Sequence, residues 1–525
     1  ARQLTRERHA SKKTVRSGGC CYSPPCIFPH TMLPFPDRPI YQEVRVEMHR
    51  RNLLLTFLSL ALTAVHTHSD GQIDRYRTGV REPTPEEWQI IQGDLVPHTP
   101  AATRDTLPAR HVNHLYLPPV AEQGAPNCYV FHVCYYYKTW QEAKEHDWQK
   151  PSVEVDPEHI MSPAFPYPLT SGGDEDGGST AMAISTINRF GCTTWAEMPG
   201  PGSYRDFPPD DRWEKALPYR GQGTGSIDLS TAAGIEQLKL HLADGDLAVV
   251  DVPIFSATSS HLGNLVDNDV IYGDTGSAVS GHVVTIIGYD DTVTYHNGVE
   301  ECSGAFLFVN SWGQDWGVSV PEVGTRGFGW FAYDFFTDFL SNYGSYKTAW
   351  IMYDRTDYQP EKLARISIDT ESRKFLVFNI EATKPDGETT SLPAFPYAGG
   401  NLPYDGEITV DITDFGRGFS QYGLRISKNT NADVTIRKFG IEIEGGRSFQ
   451  APDLPMTYWS SEWGGIIYAG SMIQAPQWEP LVTGALSPTH TNTSKTRCID
   501  FDGDGDLDVA LCTQIWDETA PRPSG

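Results

Sequence analysis

The stretch Ala305-Phe306-Leu307-Phe308-Val309-Asn310-Ser311-Trp312-Gly313-Gln314-Asp315-Trp316-Gly317 governs the reading of this chain. Its first five residues form an unbroken apolar run, as in a strand buried on both faces. Asn310 then ends the strand, a place where asparagine ordinarily forms a turn. Working back, a second apolar run opens on a histidine: Gly281-His282-Val283-Val284-Thr285-Ile286-Ile287-Gly288-Tyr289-Asp290. Further back lies Gln123-Gly124-Ala125-Pro126-Asn127-Cys128-Tyr129-Val130-Phe131. It heads a helix expected over 127–146, with Asn127 as N-cap and Val130, Phe131, Cys134, Tyr135 and Lys138 along one stripe.

Four polar groups in these stretches suit one chemistry. A thiol at the first helical position sits beside unsatisfied backbone N–H groups and the positive end of the helix dipole, which favours thiolate. A nearby imidazole stabilises that thiolate as an ion pair. A side-chain amide accepts the imidazole N–H and aims the ring at sulfur without adding charge. Gln123, five positions before Cys128, can donate an amide hydrogen to a developing oxyanion beside the Cys128 backbone N–H. Singly, each has a plain explanation: a buried cysteine packs, a histidine in an apolar strand is a satisfied core residue, an asparagine turns the chain. Together and in this order they point to Cys128 as nucleophile, His282 as base and Asn310 as orienter of the base. Cys134 is a poorer nucleophile, because it lies mid-helix without an upstream Gln-Gly.

A chain of 525 residues exceeds one ordinary core, so two or three domains are expected. The formal charge of −26 opposes a nucleic-acid partner, whose phosphates it would repel. Residues 1–47 are basic and patternless and do not begin with Met. Met48-His49-Arg50-Arg51-Asn52, the apolar run 53–65 and the polar exit His66-Thr67-His68-Ser69 have the layout of a secretory signal peptide over 48–69. That run is too short to span a bilayer, which takes about 20 apolar residues. The expectation is translation from Met48, with 1–47 upstream sequence, and a protein secreted or held at the cell surface; N-terminal sequencing that found Ala1 would overturn it. Six of the nine cysteines lie beyond residue 69, and Cys498–Cys512 is the most plausible local disulfide.

Residues 70–107 are polar and Pro-rich, a linker or short propiece with a helical hint over 86–92. Helices are expected over 179–190, closed by Gly191, and over 235–243; buried strands over 247–255, 282–289 and 305–310. The expected fold class is therefore α+β over 108–355. After Asp354 short alternating strands separated by Gly, Pro and Asn turns suggest an all-β sandwich over 360–457.

Gln123 to Phe131 resembles the nucleophile segment of papain-like cysteine peptidases. Asp176-Gly177-Gly178-Ser179 is similar to their substrate-cleft segment, Gly281 to Asp290 to their histidine strand, and Asn310 to Gly317 to their asparagine motif almost residue for residue. Tyr116-Leu117-Pro118-Pro119-Val120 and Gly191-Cys192-Thr193-Thr194-Trp195 bring the chain nearest to divergent bacterial-type members. The resemblance covers about Pro108 to Arg355. It implies a two-lobed catalytic domain, helical lobe plus β-barrel-like lobe, that hydrolyses peptide bonds through a Cys-His-Asn triad and a thioester acyl-enzyme, with no cofactor. It further implies that Gly177 and Gly178 offer backbone groups to an extended peptide and that Trp312 shields the Asn310–His282 bond. Three departures stand out. The Gln123–Cys128 loop is one residue shorter than usual, the cysteine ordinarily three places before the nucleophile is absent, and Tyr129 replaces a common Trp. Region 70–107 is also shorter than the helical propiece of many members, so inhibition by that route is not expected.

Residues 458–525 end in Asp500-Phe501-Asp502-Gly503-Asp504-Gly505-Asp506-Leu507-Asp508. Carboxylates at alternate positions around glycine suit a hard cation, so Asp500, Asp502, Asp504, Asp506 and Asp508 are candidate calcium ligands. The segment resembles the opening of an FG-GAP-type repeat. One copy cannot close a propeller, so further copies are expected beyond Gly525; following sequence without another Asp-x-Asp-Gly-Asp run would overturn this. Two other function classes compete with a peptidase. One is an inactive papain-like scaffold in a calcium-dependent adhesion protein, whose C-terminal modules would meet a surface or matrix ligand. The other is a transglutaminase-like acyl transferase, which prefers a carboxylate where this chain has Asn310.

Overall fold

A computed structural model describes residues 78–98, 107–173, 177–256, 262–373, 376–394, 402–428, 432–459 and 464–469. The basic segment 1–47, the signal peptide 48–69, Asp176 and the five calcium-ligand aspartates lie outside the described residues.

Helix α1 (Pro85–Asp94) begins with a capping box: Glu87 N–H donates to Thr84 Oγ1 while Thr84 N–H donates to the Glu87 carboxylate, and Pro85 fills the first turn. After the short strand β1 (Arg110–Val112) comes the helix headed by Cys128. It runs without a break from α2 (Cys128–Phe131) through π-helical turns over His132–Lys138 into α3 (Thr139–Glu145). The expected single apolar stripe is replaced by burial on every side, because this helix runs through the middle of the core rather than along its surface. Asn127 is not a side-chain cap either; its Nδ2 donates instead to the Pro201 carbonyl at 2.9 Å. The helices α4 (Tyr167–Thr170), α5 (Thr180–Phe190) and α6 (Asp210–Ala216) follow. Ser179 caps α5, and Gly191, at φ +76°, ends it.

The strands β2 (Gly221–Asp228), β3 (Ala248–Phe255), β4 (Ala278–His296), β5 (Glu301–Val309), β6 (Val318–Val320), β7 (Thr325–Ala332) and β8 (Thr348–Asp354) form one antiparallel sheet in the order β2-β8-β3-β4-β5-β7-β6, with β1 added alongside β4; helix α7 (Ala232–Ala243) lies between β2 and β3 in sequence. β3 is buried throughout, and the central parts of β4 and β5 likewise, as their apolar runs require. Cys128 and the helix it heads share one continuous core with this sheet.

Beyond Asp354 two further antiparallel sheets share a second core. β11 (Thr389–Pro393), β10 (Leu376–Thr383), β13 (Gln421–Lys428) and β17 (Gly464–Ala469) make one. β12 (Tyr404–Asp411), β9 (Lys362–Thr370), β14 (Val434–Ile443) and β15 (Arg447–Gln450) make the other, with β16 (Met456–Tyr458) on β14. β9 buries every second residue, the alternation of a strand with one wet face. β17 lies past the expected 457/458 boundary and pairs with β13 from Tyr422↔Ala469 to Ser427↔Gly464. Among the described residues no helix is long and apolar enough to cross a membrane.

Candidate active site

β4 and β5 are adjacent, so their ends bring His282 and Asn310 together. His282 Nε2 lies 2.8 Å from Asn310 Oδ1. The same oxygen accepts the Ser311 N–H at 2.7 Å, which fixes which end of the amide faces the ring. An amide oxygen only accepts, so Nε2 carries the ring proton and Nδ1 is a lone pair. Nδ1 is buried without a hydrogen-bond partner. Trp312 stacks on the ring with centroids 4.4 Å apart and 22° between planes. Burial lowers the His282 pKa to about 4, and the Asn310 bond opposes this, so the imidazole is neutral.

Cys128 is fully buried at the start of α2. The backbone N–H groups of Val283, Tyr129 and Gly79 face its sulfur, and Val283 is the residue next to His282. Burial nevertheless pushes the thiol up to about 12, with Asp251 adding to the rise. No hydrogen bond links the sulfur to His282.

Gly79, whose N–H faces the sulfur, belongs to residues 78–83, part of the segment read from sequence as linker or short propiece. These residues form a strap beside Cys128. Val80 bridges two elements at once, antiparallel to Gly281 and parallel to Gly178. Gly178 N–H donates to the Gly79 carbonyl, and Arg81 N–H donates to the Gly178 carbonyl, both at 2.9 Å. The backbone N–H and C=O of Gly178 are thus both occupied by residues 79–81 of the chain itself. The fit depends on glycine: a Cβ on Gly79 would stand 2.1 Å from the Pro126 carbonyl oxygen, and one on Gly177, at φ +88°, 1.9 Å from the Gly79 carbonyl oxygen. Gly177 and Gly178 therefore lie directly against the strap.

Gln123 is buried beside the nucleophile loop. Its Nε2 donates to the Ala125 carbonyl at 2.9 Å, and its Oε1 accepts from Ser311 Oγ at 2.5 Å. Behind it stands His132, a residue the sequence reading does not single out, with Nε2 3.0 Å from Ser311 Oγ and Nδ1 3.0 Å from Thr285 Oγ1. Only its position one turn after Cys128 hinted at a role. Cys134 is buried with its thiol against Cys192. Among the described residues Cys128, Cys134, Cys192 and Cys302 are free thiols.

No protein-family profile matches this chain, and no curated protein does. Among solved structures it is similar to xylellain, a cysteine protease from Xylella fastidiosa, at 20% identity and a TM-score of 0.36, over 53% of this chain and 94% of that one. A likeness that slight carries no conclusion about fold or chemistry.

Proposed function

We propose that this chain is a papain-like cysteine peptidase, with Cys128 as nucleophile, His282 as base, Asn310 as orienter and Gln123 as oxyanion donor, kept latent by residues 78–83. The supporting observation is the His282 ring: its proton is committed to Asn310, and its other nitrogen is a buried lone pair without a partner. That nitrogen belongs to the residue next to the Val283 N–H that faces the Cys128 sulfur.

With the strap out of the cleft, the Cys128 proton passes to His282 Nδ1 and the resulting thiolate attacks the peptide carbonyl carbon. The carbonyl oxygen takes the negative charge and meets the second hydrogen of the Gln123 amide, the first being held by Ala125, together with the Cys128 backbone N–H. As the C–N bond breaks, the imidazolium returns the proton to the leaving amine, leaving a thioester on Cys128. Water then gives a proton to His282 and attacks the thioester; the carboxylic acid departs and the proton returns to sulfur. A thiol at about 12 beside a neutral imidazole is the resting pair of the closed state, not the attacking one.

A second reading, a scaffold without activity, is favoured by the missing hydrogen bond between sulfur and His282. Turnover of an unfolded protein by the full-length Gly79→Leu chain separates the two. Peptide release that vanishes in Gly79→Leu/Cys128→Ala supports the peptidase; release equal in both, or none, supports the scaffold.

A further inference from the structure

Every side chain of β3 is buried, and Asp251 is the only charged one among them. It stands opposite Val283, one residue from His282. Thr180 Oγ1 donates to its carboxylate at 2.5 Å, and among the described residues no cation pairs with it. Burial lifts its pKa to about 7, Thr180 pulls it down, Glu82 pushes it up, and the Trp350 side chain pulls it down again. A buried carboxylate without a counter-ion is costly, and folded chains seldom keep one without a use.

The carboxylate opens on a cavity of about 310 Å³, walled by Ser179, Tyr346, Thr348 and Trp350 on one side and by strap residues 80–83 on the other. The strap does not answer its charge. It brings Glu82 to the cavity, while its cation, Arg81, turns into Glu87 with two bonds of 2.7 and 2.8 Å.

We propose that this pocket selects a basic side chain: an arginine or lysine of the peptide cut at Cys128 enters it and pairs with Asp251, which is thereby a specificity-determining residue. The proposal rests on the peptidase reading. Its physical basis is that the long apolar stem of either side chain can follow the Tyr346 and Trp350 walls while the charged head reaches the carboxylate, arginine with a planar fork and lysine with a point charge. A neutral side chain would fill the same space and leave the carboxylate without a cation. A basic peptide also displaces the strap more readily than a neutral one, since it exchanges the Glu82 carboxylate for a cation.

Cleavage of peptide libraries varied one position at a time, by full-length Gly79→Leu and by Gly79→Leu/Asp251→Asn, tests this. The expected result is one position at which Arg or Lys is cut at least about tenfold faster than Leu, a preference lost with Asp251→Asn. Equal rates, or a basic preference that survives Asp251→Asn, overturns the pocket assignment and leaves the peptidase standing. If no peptide is cut, the peptidase reading fails, and the pocket is decided without turnover by thermal unfolding of full-length Glu82→Arg. An arginine placed at the cavity should raise the midpoint by about 3 °C or more, and not at all when combined with Asp251→Asn; no rise, or the same rise in both, overturns it.

Discussion

Ser311 has one hydroxyl proton, and it goes to Gln123 Oε1. His132 Nε2 must therefore donate to Ser311 Oγ, which leaves Nδ1 to accept from Thr285 Oγ1. Burial, and then the neighbouring His282, lowers the His132 pKa well below its ordinary 6.5, so this neutral tautomer persists across physiological pH. Thr285, His132, Ser311 and Gln123 thus form one directed chain ending at the amide proposed to meet the oxyanion. His132→Leu should lower kcat about tenfold while leaving KM nearly unchanged, since that amide acts mainly on the transition state. A fall in kcat/KM arising wholly from KM would show that His132 only packs. Cys128, His282, Asn310 and Gln123 stand out in the sequence because each sits at a marked boundary: a helix start, a strand start, a strand end, a Gln-Gly pair. His132 and Asp251 do not, because one lies inside an aromatic helix and the other inside an apolar strand, and only the fold reveals what each faces.

At the scale of elements, the strap and its anchor do the closing. Glu87 is almost wholly buried in the first turn of α1 and holds both Arg81 and the Thr84 N–H, so α1 fastens the strand that covers Cys128. The buried pair gives closure a pH window. A thiol raised from 9.0 to about 12 favours the closed state fully below pH 9.0, and that contribution is lost as pH rises toward 12. An imidazole lowered from 6.5 to about 4 favours it fully above pH 6.5, and that contribution is lost as pH falls toward 4. On the thiol and imidazole taken together, closure is firmest between 6.5 and 9.0. In that window iodoacetamide should alkylate Cys128 slowly in the full-length chain and about tenfold faster or more in Gly79→Leu, with unchanged far-UV circular dichroism. Equal rates would mean that the strap does not guard the sulfur. Nothing in residues 70–107 betrays this, because a strand made by two isolated bridges to Gly178 and Gly281 needs no periodicity of its own. The π-helical turns over His132–Lys138 were equally illegible, since an apolar run buried on all sides has the same composition at either pitch.

Over the whole molecule, the two sheets beyond Asp354 draw residues of α4, α5 and α6 into their own core and are tied to the preceding residues by ion pairs. Trp213 of α6, with Phe165 and Phe190, packs into the same cluster as the β9, β12 and β14 interiors. Arg220 reaches Asp411 at 2.5 Å, both nearly fully buried, and Arg355 grips Asp414 with two bonds of 2.9 and 2.8 Å. Arg220→Ala leaves the buried Asp411 carboxylate without its cation, though still bonded by Tyr358 and the Thr413 N–H, and should cost about 3 kcal/mol, measured by urea unfolding. The wild type should unfold in one transition across this interface; a cost below about 1 kcal/mol would show that the pair is dispensable. The alternation over 366–443 made strands legible, but not their extent, because β17 carries too few residues to announce itself and joins the sheet through its pairing with β13.

On the proposed mechanism, sulfur, imidazole and amide act as one unit once the strap leaves. Peptide mapping after exposure of full-length chains to a peptidyl epoxide reads this out. An adduct on Cys128 should form slowly in the wild type, quickly in Gly79→Leu, and hardly at all in Gly79→Leu/His282→Ala. An epoxide that spares Cys128 in folded, reduced Gly79→Leu, or that labels it equally well without His282, would contradict it.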